Sequence, residues 1–136
     1  MDAEQLREFV RKNHRAVLAT TRSDGRPQLS PVLVALAPDG RLVVSTRETA
    51  VKAKNVRRDP YASLCVLNDR FFGDWAQVEG AAEIVALPEA MDLLVQYYRD
   101  TGGEHPDWDE YRAAMERERR VALLVSIDRV GPTVSG

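Results

Sequence analysis

The sequence predicts a mainly β protein: a six-stranded antiparallel barrel with helical additions, built as a single domain over residues 1–136. Three observations carry this. Six short apolar runs recur along the chain, rich in Val, Leu, Ala and Thr and bounded by turn residues. Two of the connections, Ser23-Asp24-Gly25-Arg26 and Pro38-Asp39-Gly40, are tight-turn sequences that favour antiparallel neighbours. The helical patterns are few, which suits helical additions to an antiparallel barrel.

The elements follow in order. Ala3 to Lys12 has Leu6, Phe9 and Val10 on one helical face, and Asp2 stands where a cap belongs. Strands are expected at Ala16–Arg22, Gln28–Ala37 and Arg41–Thr46. A helix from Thr49 to Arg58 must stop before Pro60. Tyr61–Leu67 is the fourth strand, and the loop after it carries Phe71 and Phe72. Trp75–Ala86 reads as a long strand whose Gly80 marks a bulge or corner. Pro88–Asp100 is helical, with Pro in its first turn, and Pro106–Arg117 is helical again after Gly102-Gly103. Val121–Val130 is the sixth strand. A barrel of this size fills its interior with side chains, so a sizeable ligand needs an outer groove, most simply one shared by two subunits.

Composition narrows the function. Apolar residues make up 44% and charged residues 29%, with 21 acids against 19 Lys and Arg, so a broadly basic nucleic-acid footprint is absent. No apolar stretch approaches membrane-spanning length, and the N-terminus lacks a signal peptide's pattern, so no membrane association and a cytoplasmic location are expected. The one cysteine, Cys65, lies in an apolar run and reads as a buried, reduced thiol. His14 and His105 stand far apart, and no His/Cys/Asp/Glu grouping has metal-ligand spacing. Walker-type, Gly-x-Gly-x-x-Gly and Gly-x-Ser-x-Gly sequences do not occur.

The segment Ser45 to Pro60 is the candidate for chemistry. Arg47, Lys52, Lys54, Arg57 and Arg58 cluster where a strand turns into a helix, and Ser45, Thr46 and Thr49 add hydroxyls at that turn. Unpaired N–H groups and the dipole of a helix start favour an anion there. Thr46, Arg47 and Lys52 are the candidate phosphate ligands, with Lys52 at the end of the first turn. Arg57 and Arg58 sit near the helix end, where they serve its dipole. Pro31, within Ser30-Pro31-Val32-Leu33-Val34, breaks a strand ladder and frees backbone groups for a ligand. Phe71 or Phe72 is suited to stacking on a planar ring or to burial against a partner; for Trp75 core packing is the simpler expectation.

These residues resemble the split β-barrel, FMN-binding superfamily typified by pyridoxamine 5′-phosphate oxidase (PNPOx-like). The matching runs are Ala16 to Gln28, Val43 to Thr46 with Lys52 and Asn55-Val56-Arg57-Arg58-Asp59-Pro60, and Val78 to Ala82. The run Gly103 to Met115 is similar to a segment of the actinobacterial branch that uses the deazaflavin coenzyme F-420 (the FDOR-B type reductases). The resemblance implies an F-420-dependent oxidoreductase: a homodimer with cofactor at the interface, passing hydride to an unsaturated small-molecule substrate. It places the cofactor phosphate near Thr46, Arg47, Lys52 and Lys54, with Ser45 and Thr49 as further cofactor-binding candidates at the same turn. The ring would lie against the backbone of Ser30, Pro31, Val32 and Val34, covered by Phe72 and Trp75 of the partner subunit. Extra cations would suit the acidic tail of F-420. Relatives often carry a hydroxyl or Arg two residues before the Lys, where this chain has Ala50. Two alternatives stay open: an FMN-dependent oxidase or reductase, and a non-catalytic F-420 carrier or sensor. No catalytic acid is assigned.

Overall fold

The computed structural model describes residues 1–131. Helix α1 (Ala3–Lys12) is followed by strands β1 (Arg15–Thr21), β2 (Pro27–Leu33), β3 (Ala35–Leu36) and β4 (Leu42–Arg47). Then come α2 (Val51–Arg58), β5 (Tyr61–Leu67), β6 (Trp75–Val85), α3 (Met91–Gly102), α4 (Trp108–Arg117), β7 (Arg120–Val125) and β8 (Arg129–Val130). The strands form one antiparallel sheet in the order β2-β1-β5-β6-β7-β4-β3, with β8 added on β6.

β6 organises the sheet. Its first part, Trp75–Ala81, pairs with β5, and its second part, Ala82–Val85, pairs with β7. Gly80 lies where the partner changes, and it has to be glycine: a Cβ there would stand 1.9 Å from the Ser126 carbonyl oxygen. The expected corner is therefore real, and its cause is a close backbone crossing. The same crossing splits the single last strand that the sequence predicts. Ser126 N–H bonds Ala81 O at 2.8 Å and the Asp128 carboxylate accepts from Ala81 N–H at 3.0 Å, so residues 126–128 leave the ladder before β8 rejoins it. The expected second strand is likewise cut, after Leu33, where Val34 N–H turns to His14 O at 2.7 Å.

Three helix starts differ from the sequence reading. Pro88 lies in a turn ahead of α3. α4 starts after Asp107, whose side chain accepts from Glu110 N–H, so the cap and not Pro106 sets the boundary. α2 starts at Val51 after Ala50, with no side-chain cap, and Thr49 stays outside it. α1 has the predicted bounds, and Asp2 and Gln5 form a capping box.

The barrel interior is filled, as a barrel of this size requires. Leu18, Val44, Leu64, Val78 and Leu123 meet Leu6 and Val10 of α1 there, each of them at most 1% exposed. A second apolar layer lies outside, where Leu94 of α3 and Met115 of α4 cover Val43 and Leu124 of β4 and β7. The expected burial of Cys65 is not met. It sits half-exposed on the outer face of β5, because alternation turns Leu64 and Val66 inward instead. Burial of the thiol still pushes its pKa up.

Candidate functional site

Alternation along β4 decides which side chains reach the surface. Leu42, Val44 and Thr46 point into the barrel, while Ser45 and Arg47 point out. Thr46 is 3% exposed, so its hydroxyl is not presented at the rim as expected; only its backbone lies there. The ladder with β7 sets Arg47 opposite Arg120 and Ser45 opposite Ala122. Two arginines side by side need a counter-charge. Glu118 supplies one, receiving Arg120 Nε at 3.0 Å, Arg120 Nη2 at 2.9 Å and Arg47 Nη2 at 3.5 Å. The Arg120 hydrogen bond, with Arg47 assisting, holds the Glu118 carboxyl below the usual carboxylate range.

Lys52 completes the cluster from the first turn of α2. It is half-buried, and burial together with the neighbouring Arg120 charge pushes its ammonium below the ordinary lysine range. Among the described residues no carboxylate pairs with it. The backbone N–H groups of Val51 and Lys52 also have no partner among the described hydrogen bonds. Glu48, at the mouth of this turn, is already engaged by Arg119 at 2.7 Å and Arg57 at 3.7 Å.

Other expected residues separate. Lys54 is exposed, and two helical positions turn it roughly 200° from Lys52, so one phosphate cannot take both. Thr49 is exposed and makes no cap. On β2, Ser30 is 8% exposed and Val34 fully buried, so neither side chain faces a ligand; Pro31 is exposed and Val32 half-buried. Ser30 Oγ instead accepts from Gln28 Nε2 at 2.9 Å. A polar chain runs on from there: Thr20 Oγ1 bonds Gln28, Asn55 Nδ2 donates to Thr20 Oγ1 at 3.1 Å, and Arg58 Nη2 donates to Asn55 Oδ1 at 2.9 Å. This chain fixes α2, and hence Lys52, against β1 and β2.

Beside the cations lies a recess of about 430 Å³ between the α3–α4 hairpin and the β4–β7 rim. Ser45 and Arg120 form one side, and Tyr97, Tyr98, His105 and Tyr111 the other. The aromatic side chains brace one another, with Tyr98 5.1 Å from both His105 and Tyr111. Burial raises the Tyr111 hydroxyl to about 12, and it donates to Leu94 O at 2.7 Å. Arg120 and Tyr97 were missed in the sequence. Arg120 joins the site only through pairing of strands more than seventy residues apart, which local patterns do not reveal.

Phe71 and Phe72 are 81% and 84% exposed. With half-buried Trp75, Cys65 and Leu67 they line a separate hollow that shares no residue with the recess. Trp75 is therefore not a core residue, and within one protomer neither it nor Phe72 joins the cations. Among the described residues no three His, Cys, Asp or Glu side chains come together as a metal site, and no helix is long and apolar enough to cross a membrane.

Fold and cation cluster define a small split β-barrel protein with an outer recess, lined by Arg120, Glu118 and Glu110 among its charged residues, beside that cluster. The family model described as pyridoxamine 5′-phosphate oxidase matches residues 3–133, and the chain belongs to that family. Among solved structures it is similar to conserved hypothetical protein Rv2991 from Mycobacterium tuberculosis, at 27% identity and TM-score 0.78, covering 100% of this chain and 93% of that one. An F-420 reductase matches at 21% identity and TM-score 0.71, covering 91% and 94%. HutZ, the haem storage protein of Vibrio cholerae, matches at 17% identity and TM-score 0.72, covering 98% and 95%.

Proposed function

We propose that the chain is a deazaflavin-dependent oxidoreductase that binds coenzyme F-420 and serves an unsaturated small-molecule substrate. The observation that carries this reading is Lys52: a half-buried cation with no paired carboxylate among the described residues, next to the Glu118-bridged arginines and at a helix start whose Val51 and Lys52 amides are open. Such an arrangement is costly unless an anion completes it. A cofactor phosphate does so, held by Lys52, Arg120 and Arg47 with the free amides of α2. Lys54, exposed and turned away from Lys52, suits the acidic tail.

The remaining residues give the ring a wall. The backbone of Ser30 to Leu33 belongs to an edge strand paired on one side only, by β1, and Val34 follows it. When bound, reduced F-420 supplies a hydride. The protein orients it and limits water around it through the aromatic recess. The partner subunit enters through the outward face of the β2-β1-β5-β6 half, where Leu29, Leu33, Phe71 and Phe72 are exposed. An apolar surface of this kind favours a homodimer, and Phe72 and Trp75 of the partner subunit then cover the ring. F-420 is preferred to FMN by the likeness to an F-420 reductase and by the Gly103 to Met115 run.

The test is a side-by-side titration with F-420, FMN and haem, followed by fluorescence or absorbance at two salt concentrations. F-420 binding that is tightest of the three and weakens with salt supports the reading. Tighter FMN binding selects the FMN-dependent alternative, since the same cations accept its phosphate. F-420 binding with no turnover of any unsaturated acceptor leaves the carrier or sensor role. Failure of both phosphorylated cofactors to bind overturns the proposal.

A further inference from the structure

The geometry points to Tyr97 as a positioning residue that sets the width of the slot against which a ring would lie; this rests on the cofactor reading above. β2 and β4 approach opposite ends of the sheet order, yet the chain joins them. After Leu33 it leaves β1 and, through β3, pairs Ala35 with Val43 of β4. The two strands therefore diverge from this junction, and the barrel is split between them. Along the split, β2 offers carbonyls with no strand partner on that side, and Pro31 offers no N–H.

Tyr97 fills the apex of this divergence. It stands on α3, one turn beyond Leu94, which is fully buried against the outer face of the barrel. Its Oη donates to Leu33 O at 3.0 Å. Ser45, on the opposite lip, lines the same recess as Tyr97. The hydroxyl thus ties the last residue of β2 to α3, and α3 in turn packs through Leu94 on Val43 of β4, the strand that carries Ser45 and Arg47. Without it, the end of β2 is held only by β1 and by the short β3 pairing beyond it, since no ladder bond crosses the split at Leu33 itself. The cations themselves are fixed by other means: Glu118 for the arginines, and the Asn55 chain for α2. Tyr97 therefore governs the ring end of the slot and leaves the phosphate end alone.

The experiment compares Tyr97→Phe with the wild type for two ligands: F-420, by fluorescence titration, and inorganic phosphate, by its competition with F-420. Phe keeps the ring packing and deletes only the hydroxyl. The expected result is an F-420 dissociation constant raised about three- to tenfold, the worth of one hydrogen bond. The phosphate inhibition constant should stay within about twofold of wild type. Amide hydrogen exchange at Val32 to Val34 should accelerate in the variant. Unchanged F-420 affinity, or an equal loss for both ligands, overturns the inference while leaving the cofactor reading intact. Wild-type protein that does not bind F-420 overturns the cofactor reading, and the inference with it.

Discussion

Lys52 shows how much a single side chain can imply and where local sequence stops. Its place in the first turn of a helix was legible, because Pro60 fixes the end of α2 and the basic run fixes its face. The neighbour that gives it meaning, Arg120, was not, since β7 reaches it from a distant part of the chain. Thr46 was assigned to the wrong surface for a related reason. Both faces of β4 are apolar at residues 42–44, so alternation alone does not reveal which one is inside. Lys52→Ala is expected to weaken F-420 binding by about 1–3 kcal/mol, measured by titration. The pH dependence has a definite sign. In the ligand-free protein the lysine pKa lies below 10.5, so the charged form costs stability, and stability rises as pH climbs through the lowered value. A bound anion favours the protonated form instead. F-420 affinity should therefore fall in the wild type as pH rises through the lowered lysine pKa, and the Lys52→Ala curve should lose that limb.

At the scale of elements, α1 and β5 were read with their observed bounds because cap, period and flanking Pro or Gly all agree there. The last strand was read as continuous because its interruption has no local signal. Residues 126–128 break away only to pass over Gly80. That crossing can be tested directly. Gly80→Ala places a methyl 1.9 Å from the Ser126 carbonyl oxygen, a main-chain atom that cannot swing aside as the end of a side chain can. We expect a loss of at least about 3 kcal/mol in urea-induced unfolding, or failure to accumulate as folded protein. Ala81→Gly, next along the strand and exposed, is the control and should cost about 1 kcal/mol or less.

For the molecule as a whole, the barrel class followed from strand lengths and turns, whereas the strand order did not, because each long-range pairing is chosen by packing and not by local propensity. The exposed aromatic pair is the feature that one protomer leaves unexplained. Phe72→Glu should shift the protein from dimer to monomer in light scattering without lowering its thermal midpoint extrapolated to monomer. If the partner covers the ring, F-420 affinity should fall in the same variant. β6 carries a further consequence. One unbroken strand supplies hydrogen bonds to β5 with its first seven residues and to β7 with the next four. Neither side of the barrel can melt while the other keeps its register, since both would lose the same backbone. Denaturation should accordingly be a single concerted event, with the slowest-exchanging amides of the protein lying along this shared spine.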